Sequence, residues 1–132
     1  MARIFLQIGS IAALLAVALG AFAAHGLQDK ISHDQITVFQ TGVRYQFYHA
    51  FGIFIVAILL QKSENIWLKR AAWCFVTGII LFSGSLYLLS CRDWLQIAHW
   101  KWLGPITPLG GLFFIAGWAC LFFANFKPKT SE

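Results

Sequence analysis

Residues 41–60 read TGVRYQFYHAFGIFIVAILL. The second half, IFIVAILL, is unbroken apolar sequence with no alternation, so it leaves no polar lumen face for a barrel strand and reads as a membrane helix. The first half carries Arg44, Gln46, His49 and two tyrosines into the same segment. An arginine at the centre of a bilayer costs about 2.5 kcal/mol or more, so such residues mark a bundle interior, a functional site or a snorkelling position near the membrane edge.

Further apolar runs lie at 4–24, 67–91 and 105–126. Each is long enough to cross a hydrocarbon core of about 30 Å, which needs roughly 20 helical residues. The chain is 59% hydrophobic and 11% charged, whereas soluble domains are about a quarter charged, so composition also points to a membrane protein. With 132 residues and short linkers, the expected fold is all-α: one domain, 1–132, forming a four-transmembrane-helix antiparallel bundle with helices at about 4–24, 33–61, 67–91 and 105–126. The second helix is expected to start ahead of its apolar run. Ser32-His33-Asp34-Gln35 fits the S-x-x-Q capping box, which places the helix start near His33. The first run could also be a secretory signal, since Arg3 precedes it and Ala21-Phe22-Ala23 resembles a cleavage site, but it exceeds the usual apolar core of about 7–15 residues.

Basic residues set the expected orientation. Arg3, Lys62, Lys69, Arg70, Lys127 and Lys129 fall on one side, and Lys30, Arg92 and Lys101 on the other, with Arg44 in the membrane. The richer side is cytoplasmic by the positive-inside rule, and both termini are expected there. This bias accounts for the net charge of +5, so no nucleic-acid partner is implied; anionic headgroups suffice. Trp94, Trp100 and Trp102, with Arg92 and Lys101, suit an outer loop in the headgroup layer, and Trp67 and Trp73 mark the inner interface. Cys74, Cys91 and Cys120 read as free thiols. Cys74 and Cys91 would lie about 25 Å apart on one helix, too far to pair.

Helix contacts should use small residues, because lipid gives helices no hydrophobic reason to associate. Ala12, Ala16, Gly20 and Ala24 recur at every fourth position of the first helix, and Ala116, Cys120 and Ala124 repeat the pattern on the fourth. Antiparallel helices also bring the unusual polar residues to one end. His25 closes the first helix, Arg44, Tyr45, Gln46 and His49 open the second, Ser83, Ser85 and Tyr87 lie late in the third, and Thr107 opens the fourth beside Pro105 and Pro108. These nine residues form the candidate polar cluster, ligand-binding or structural, on the outer side. At about 100° per residue, Thr41, Arg44, Tyr45 and Tyr48 share the expected interior face, leaving Val43, Phe47 and Ala50 toward lipid.

No nucleophile–base pair is evident, and the histidines show no HxH or HxxxH spacing. Neither a metal, a cofactor nor an enzymatic activity is therefore expected. The expected function is a non-enzymatic packing, interaction or lipid-binding protein, with membrane lipids, further copies of itself or a larger membrane complex as partners. The alternative is a small homo-oligomeric transport or channel unit for an anion or proton, with Arg44, Tyr45 and His49 along its path. An enzyme acting on a lipid or quinone is a third reading. Proton or cation transport usually needs a membrane-embedded acid, which this chain lacks.

Four motifs carry a family resemblance: GAFAAHGL at 20–27, FQTGVRYQFYHAFG at 39–52, FSGSLYLL at 82–89 and ITPLGG at 106–111, followed by Gly117-Trp118. The chain resembles the small bacterial membrane proteins of the YwdK and YgdD type, domain of unknown function 423. Ala23 stands where that family commonly has glycine. The resemblance implies a four-helix multi-pass protein of the bacterial cytoplasmic (inner) membrane, and it carries no activity with it. A reporter fused after Glu132 is expected to work in the cytoplasm; activity confined to the far side of the membrane would reverse the orientation.

Overall fold

The computed structural model describes residues 1–126. Lys127, Lys129 and Glu132, on which the C-terminal orientation partly rests, lie outside the described residues. Four helices are long and apolar enough to cross a membrane: α1 (Ala2–Gly26), α2 (His33–Lys62), α3 (Ile66–Ser90) and α4 (Leu103–Ala124). The last turn of α1, Phe22–Gly26, and the middle of α3, Ile79–Ser83, are π-helical. Successive helices run antiparallel. One end of the bundle carries the 27–32 and 91–102 loops, and the other carries the short turn 63–65.

The start of α2 follows from its cap. The Gln35 amide donates to Ser32 Oγ at 3.2 Å, and the Ser32 amide donates to Gln35 Oε1 at 2.9 Å, so two amides that a helix start leaves without partners are satisfied reciprocally. The same Gln35 side chain donates to Asp93 Oδ2 at 3.0 Å, tying α2 to the 91–102 loop. At the opposite end Asn65 caps α3 by accepting from the Trp67 amide at 2.8 Å, and its Nδ2 donates to the Ala124 carbonyl at 3.2 Å, which fixes the end of α4. Pro105 sits in the first turn of α4, where a missing donor matters least. Pro108 lies inside the helix rather than in the opening turn and removes an internal hydrogen bond there.

The central pair is α2 and α3, with α1 covering one flank and α4 the other. Two buried clusters fill the interfaces. One, toward the short-turn end, gathers Phe5, Ile53, Val56, Ala57, Leu68, Ala72, Phe75 and Phe114; the other, at the long-loop end, gathers Ala23, Leu27, Ile36, Phe39 and Cys91. The small-residue stripe of α1 is buried at Ala12 and Ala16, while Ala24 is exposed. On α4 the expected stripe is corrected. Ala116 faces outward, and Gly110, Phe114 and Gly117 form the buried face instead. The three cysteines are free thiols.

Two neighbouring helices approach the π turn of α3 closely. A Cβ on Gly110 would fall on the backbone nitrogen of Phe82 and 2.7 Å from its Cα, so α4 meets the α3 backbone directly. A Cβ on Gly42 would lie 2.7 Å from the Tyr87 ring and 3.3 Å from the Ser83 carbonyl oxygen. The turn is thus held between two glycines of neighbouring helices. By contrast, a Cβ on Gly104, also in α4, meets nothing within 4 Å. Gly110→Ala is expected to destabilise the bundle by about 1–3 kcal/mol or more, since a backbone cannot step aside as a flexible side chain can. Gly104→Ala should melt at or above the wild-type temperature; equal melts for the two variants in one detergent would remove the close contact as a stabilising feature.

Candidate functional site

The polar side chains of α2 and α3 assemble from helix periodicity. In α3, Ser83 and Tyr87 are four residues apart and face α2, whereas Ser85 lies about 200° round the helix and faces α4. Ser83 Oγ donates to the Gly42 carbonyl at 2.7 Å. The Tyr87 hydroxyl donates to Gln46 Oε1 at 2.7 Å, and Gln46 Nε2 donates to the Ala12 carbonyl at 2.8 Å. One hydrogen-bonded chain therefore crosses α3, α2 and α1. On the opposite face Ser85 and Thr107 share a hydrogen bond of 2.6 Å, joining α3 to α4.

A second site joins α2 to α4. His49 is 4% exposed and stacks on Phe114, with ring centres 3.4 Å apart and planes within 5°. Its Nδ1 lies 2.7 Å from the Tyr45 carbonyl, which can only accept, so Nδ1 carries the proton. Nε2 then accepts from the Trp118 indole N–H at 3.1 Å. Both ring nitrogens are occupied and the imidazole is held neutral in one tautomer, with neither nitrogen spare for a metal or for a base.

The nine residues singled out from the sequence are therefore divided. Gln46, Ser83 and Tyr87 form the α1–α2–α3 chain, Ser85 and Thr107 the α3–α4 bond, and His49 the α2–α4 stack, with Tyr45 beside it at 40% exposure. His25 is exposed in the π turn that ends α1. Arg44 is exposed too, and its guanidinium bonds within the protein to Thr41 Oγ1 at 3.4 Å. The expected facing of α2 is thus corrected. Gly42, Gln46, His49, Ala50 and Ile53 point inward, while Arg44, Tyr45 and Tyr48 point out. Small Gly42 and Ala50 permit close helix contact, whereas Arg44 can reach the headgroup layer from outside.

Trp118 and Phe114, which complete the histidine site, were not among the sequence candidates. The signal available for them was the α4 spacing of Gly110, Phe114 and Gly117, which places a ring and an indole beside the α2 contact face. Among the described residues, no three of His, Cys, Asp and Glu come together as a metal site would need. Each buried side-chain nitrogen and oxygen there has a hydrogen-bond partner. The arrangement can hold helices in register.

Gln46→Ala is expected to cost stability by about 1–3 kcal/mol, because it strands the Tyr87 hydroxyl, whereas the Ala12 carbonyl keeps its partner within α1. Arg44→Ala should melt close to wild type, because headgroups and water replace a surface contact. The reverse order of melting temperatures would place Arg44, and not Gln46, in the bundle's framework.

Comparison with known proteins agrees with this architecture. The family model "Protein of unknown function (DUF423)" matches residues 19–111, a span that holds the Gly42, Ser83 and Gly110 contacts. The chain is 48% identical over 126 residues to the UPF0382 membrane protein YwdK of Bacillus subtilis, covering 95% of this chain and 98% of that one. It is 41% identical to the UPF0382 membrane protein SAB0533 of Staphylococcus aureus and 38% identical to SH2409 of Staphylococcus haemolyticus, each over 95% of this chain and 97% of the relative. No solved structure matches the chain. With a family model covering most of its length and relatives matched end to end, the chain belongs to the DUF423 family of UPF0382 membrane proteins.

Proposed function

We propose that this is a non-enzymatic protein of the bacterial cytoplasmic membrane that works by binding lipid at its membrane-facing surface. The observation that carries this reading is the saturation of the interior, where every buried polar side-chain atom among the described residues has a partner. Groups already paired in a low-dielectric interior act as structural ties, and binding is left to the surface. That surface includes lateral grooves. One lies between α1 and α3, about 440 Å³ and walled by Ile8, Ile11, Leu15, Ile79 and Ile80; another lies between α2 and α4, about 570 Å³ and walled largely by aromatic rings. Apolar hollows open sideways to a bilayer are shaped for lipid chains.

In this reading the 27–32 and 91–102 loops face outward and the 63–65 turn faces the cytoplasm, as the basic residues favour. Trp94, Trp100 and Trp102 are exposed on the outer loop, with Lys30 lying over Trp94 at 5.8 Å, as suits a headgroup layer. Trp67 is exposed at the other end, with Arg70 over its ring at 5.1 Å. A homo-oligomeric path for an anion or proton draws less support. His49 has no free nitrogen, and Asp29, Asp34, Glu64 and Asp93 all lie at helix ends or in loops. Native mass spectrometry of the protein released from nanodiscs is expected to show lipid retained on the chain. Lipid-free particles that also carry protons or anions across liposomes would replace lipid binding with transport.

A further inference from the structure

Arg44 and the groove between α2 and α4 belong to one surface. Tyr48 lines the groove at 56% exposure, and Arg44 lies one turn nearer the long-loop end on the same stripe of α2. Behind Tyr48 the groove is walled by Tyr45, His49, Phe114, Ile115 and Trp118. Phe114 and Trp118 are fixed by the stack and the indole hydrogen bond on His49, so this part of the groove is preformed and does not have to be ordered by an occupant.

The depth of Arg44 determines what can neutralise it. It precedes Lys62 by 18 positions in one continuous helix, about 27 Å at about 1.5 Å per residue. With Lys62 at one boundary of a hydrocarbon core of about 30 Å, the backbone of Arg44 lies just inside the other boundary, and its long side chain can snorkel outward to the phospholipid phosphates. Among the described residues, no carboxylate forms an ion pair with Arg44. Asp29 lies in the 27–32 loop ahead of α2, and Asp34 is ten positions before Arg44 on α2, about 15 Å away along the axis. Glu64 pairs with Lys69, and Asp93 with Gln35 and Arg92. A guanidinium facing lipid at this depth is best matched by a phosphate, which it can engage with two parallel N–H donors.

We propose that the α2–α4 groove is a site for an anionic phospholipid, its phosphate on Arg44 and one acyl chain along Tyr48, Ile115 and Trp118. The proposal rests on the lipid-binding reading and adds the headgroup class and the residues that select it. Anionic lipids are favoured over zwitterionic ones because no ammonium group on the lipid competes with Arg44 for the phosphate. A second copy of the chain fits less well, since its described surface offers no carboxylate at the depth of Arg44.

The test uses the full chain in nanodiscs of equal parts phosphatidylglycerol and phosphatidylcholine, with retained lipid read by native mass spectrometry. Wild type is expected to retain phosphatidylglycerol about fivefold over phosphatidylcholine, the preference that one basic residue at an anionic surface provides. Arg44→Gln should bring the ratio close to one, while Arg44→Lys and the loop variant Arg92→Gln keep most of it. Ile115→Trp fills the groove from a position that is 67% exposed, so it should lower retention of both lipids without lowering the melting temperature. Retention without headgroup preference, or a preference that survives Arg44→Gln, overturns the Arg44 site and leaves general lipid binding standing. A preference lost in Arg92→Gln instead moves the site to the outer loop and overturns the groove assignment. Absence of retained lipid overturns both readings, and a two-copy particle that Ile115→Trp splits makes the groove a self-association face.

Discussion

The bundle depends on how closely α2 and α4 approach the π turn of α3. Helices in a bilayer gain nothing from hiding apolar surface from one another, so van der Waals contact and hydrogen bonds must hold them. Both are supplied where Phe82 and Ser83 run between Gly42 and Gly110. The absence of a Cβ on Gly42 brings its carbonyl within 2.7 Å of Ser83 Oγ, and close contact at Gly110 places Thr107, one turn earlier, 2.6 Å from Ser85. The serines of FSGS thus act in opposite directions from one turn. Either glycine enlarged by one carbon would separate the backbones and lengthen the hydrogen bond beside it.

From that contact the cross-section follows. α2 and α3 are the central pair, and α2 is the most buried of the four spans, while α1 and α4 each keep a broad face toward lipid. The polar chain from Tyr87 through Gln46 to Ala12 locks α1 onto this pair, and the histidine stack locks α4. Each lock uses a side chain whose partners are fully assigned, the condition under which a buried polar group stabilises a fold in a low-dielectric setting.

Much of the fold was legible because its determinants are local or compositional. Span lengths follow from runs of apolar residues, and the α2 start followed from Ser32 and Gln35 alone. The end of the bundle holding the polar residues followed from chain direction, since antiparallel helices must bring His25, Arg44, Ser85 and Thr107 toward one side. Which face of α2 turns inward was misread, for a physical reason. Polarity marks an interior position only where water and headgroups are out of reach, and Arg44 lies at a depth where a long side chain reaches both. The more dependable mark of the contact face was the small residue pair Gly42 and Ala50, because packing and not polarity decides helix contacts in lipid. The role of Trp118 and Phe114 was not legible because it needs His49 on another helix, a pairing that spacing within α4 does not name.

The same contacts that close one interface open another. Gly110 draws α4 against α3, while α4 meets α2 through bulky rings, with Phe114 flat on His49 and Trp118 bonded to its far nitrogen. A helix pulled close on one side and propped out on the other leaves a wedge, and that wedge is the groove beneath Arg44. Part of its wall is preformed because His49, Phe114 and Trp118 also hold α2 to α4. A site of this kind cannot be removed by truncating Phe114 or Trp118 without loosening the bundle. In the proposed lipid site, selectivity would be free to vary at the exposed positions around the groove, Arg44 and Ile115, where substitution leaves the framework in place.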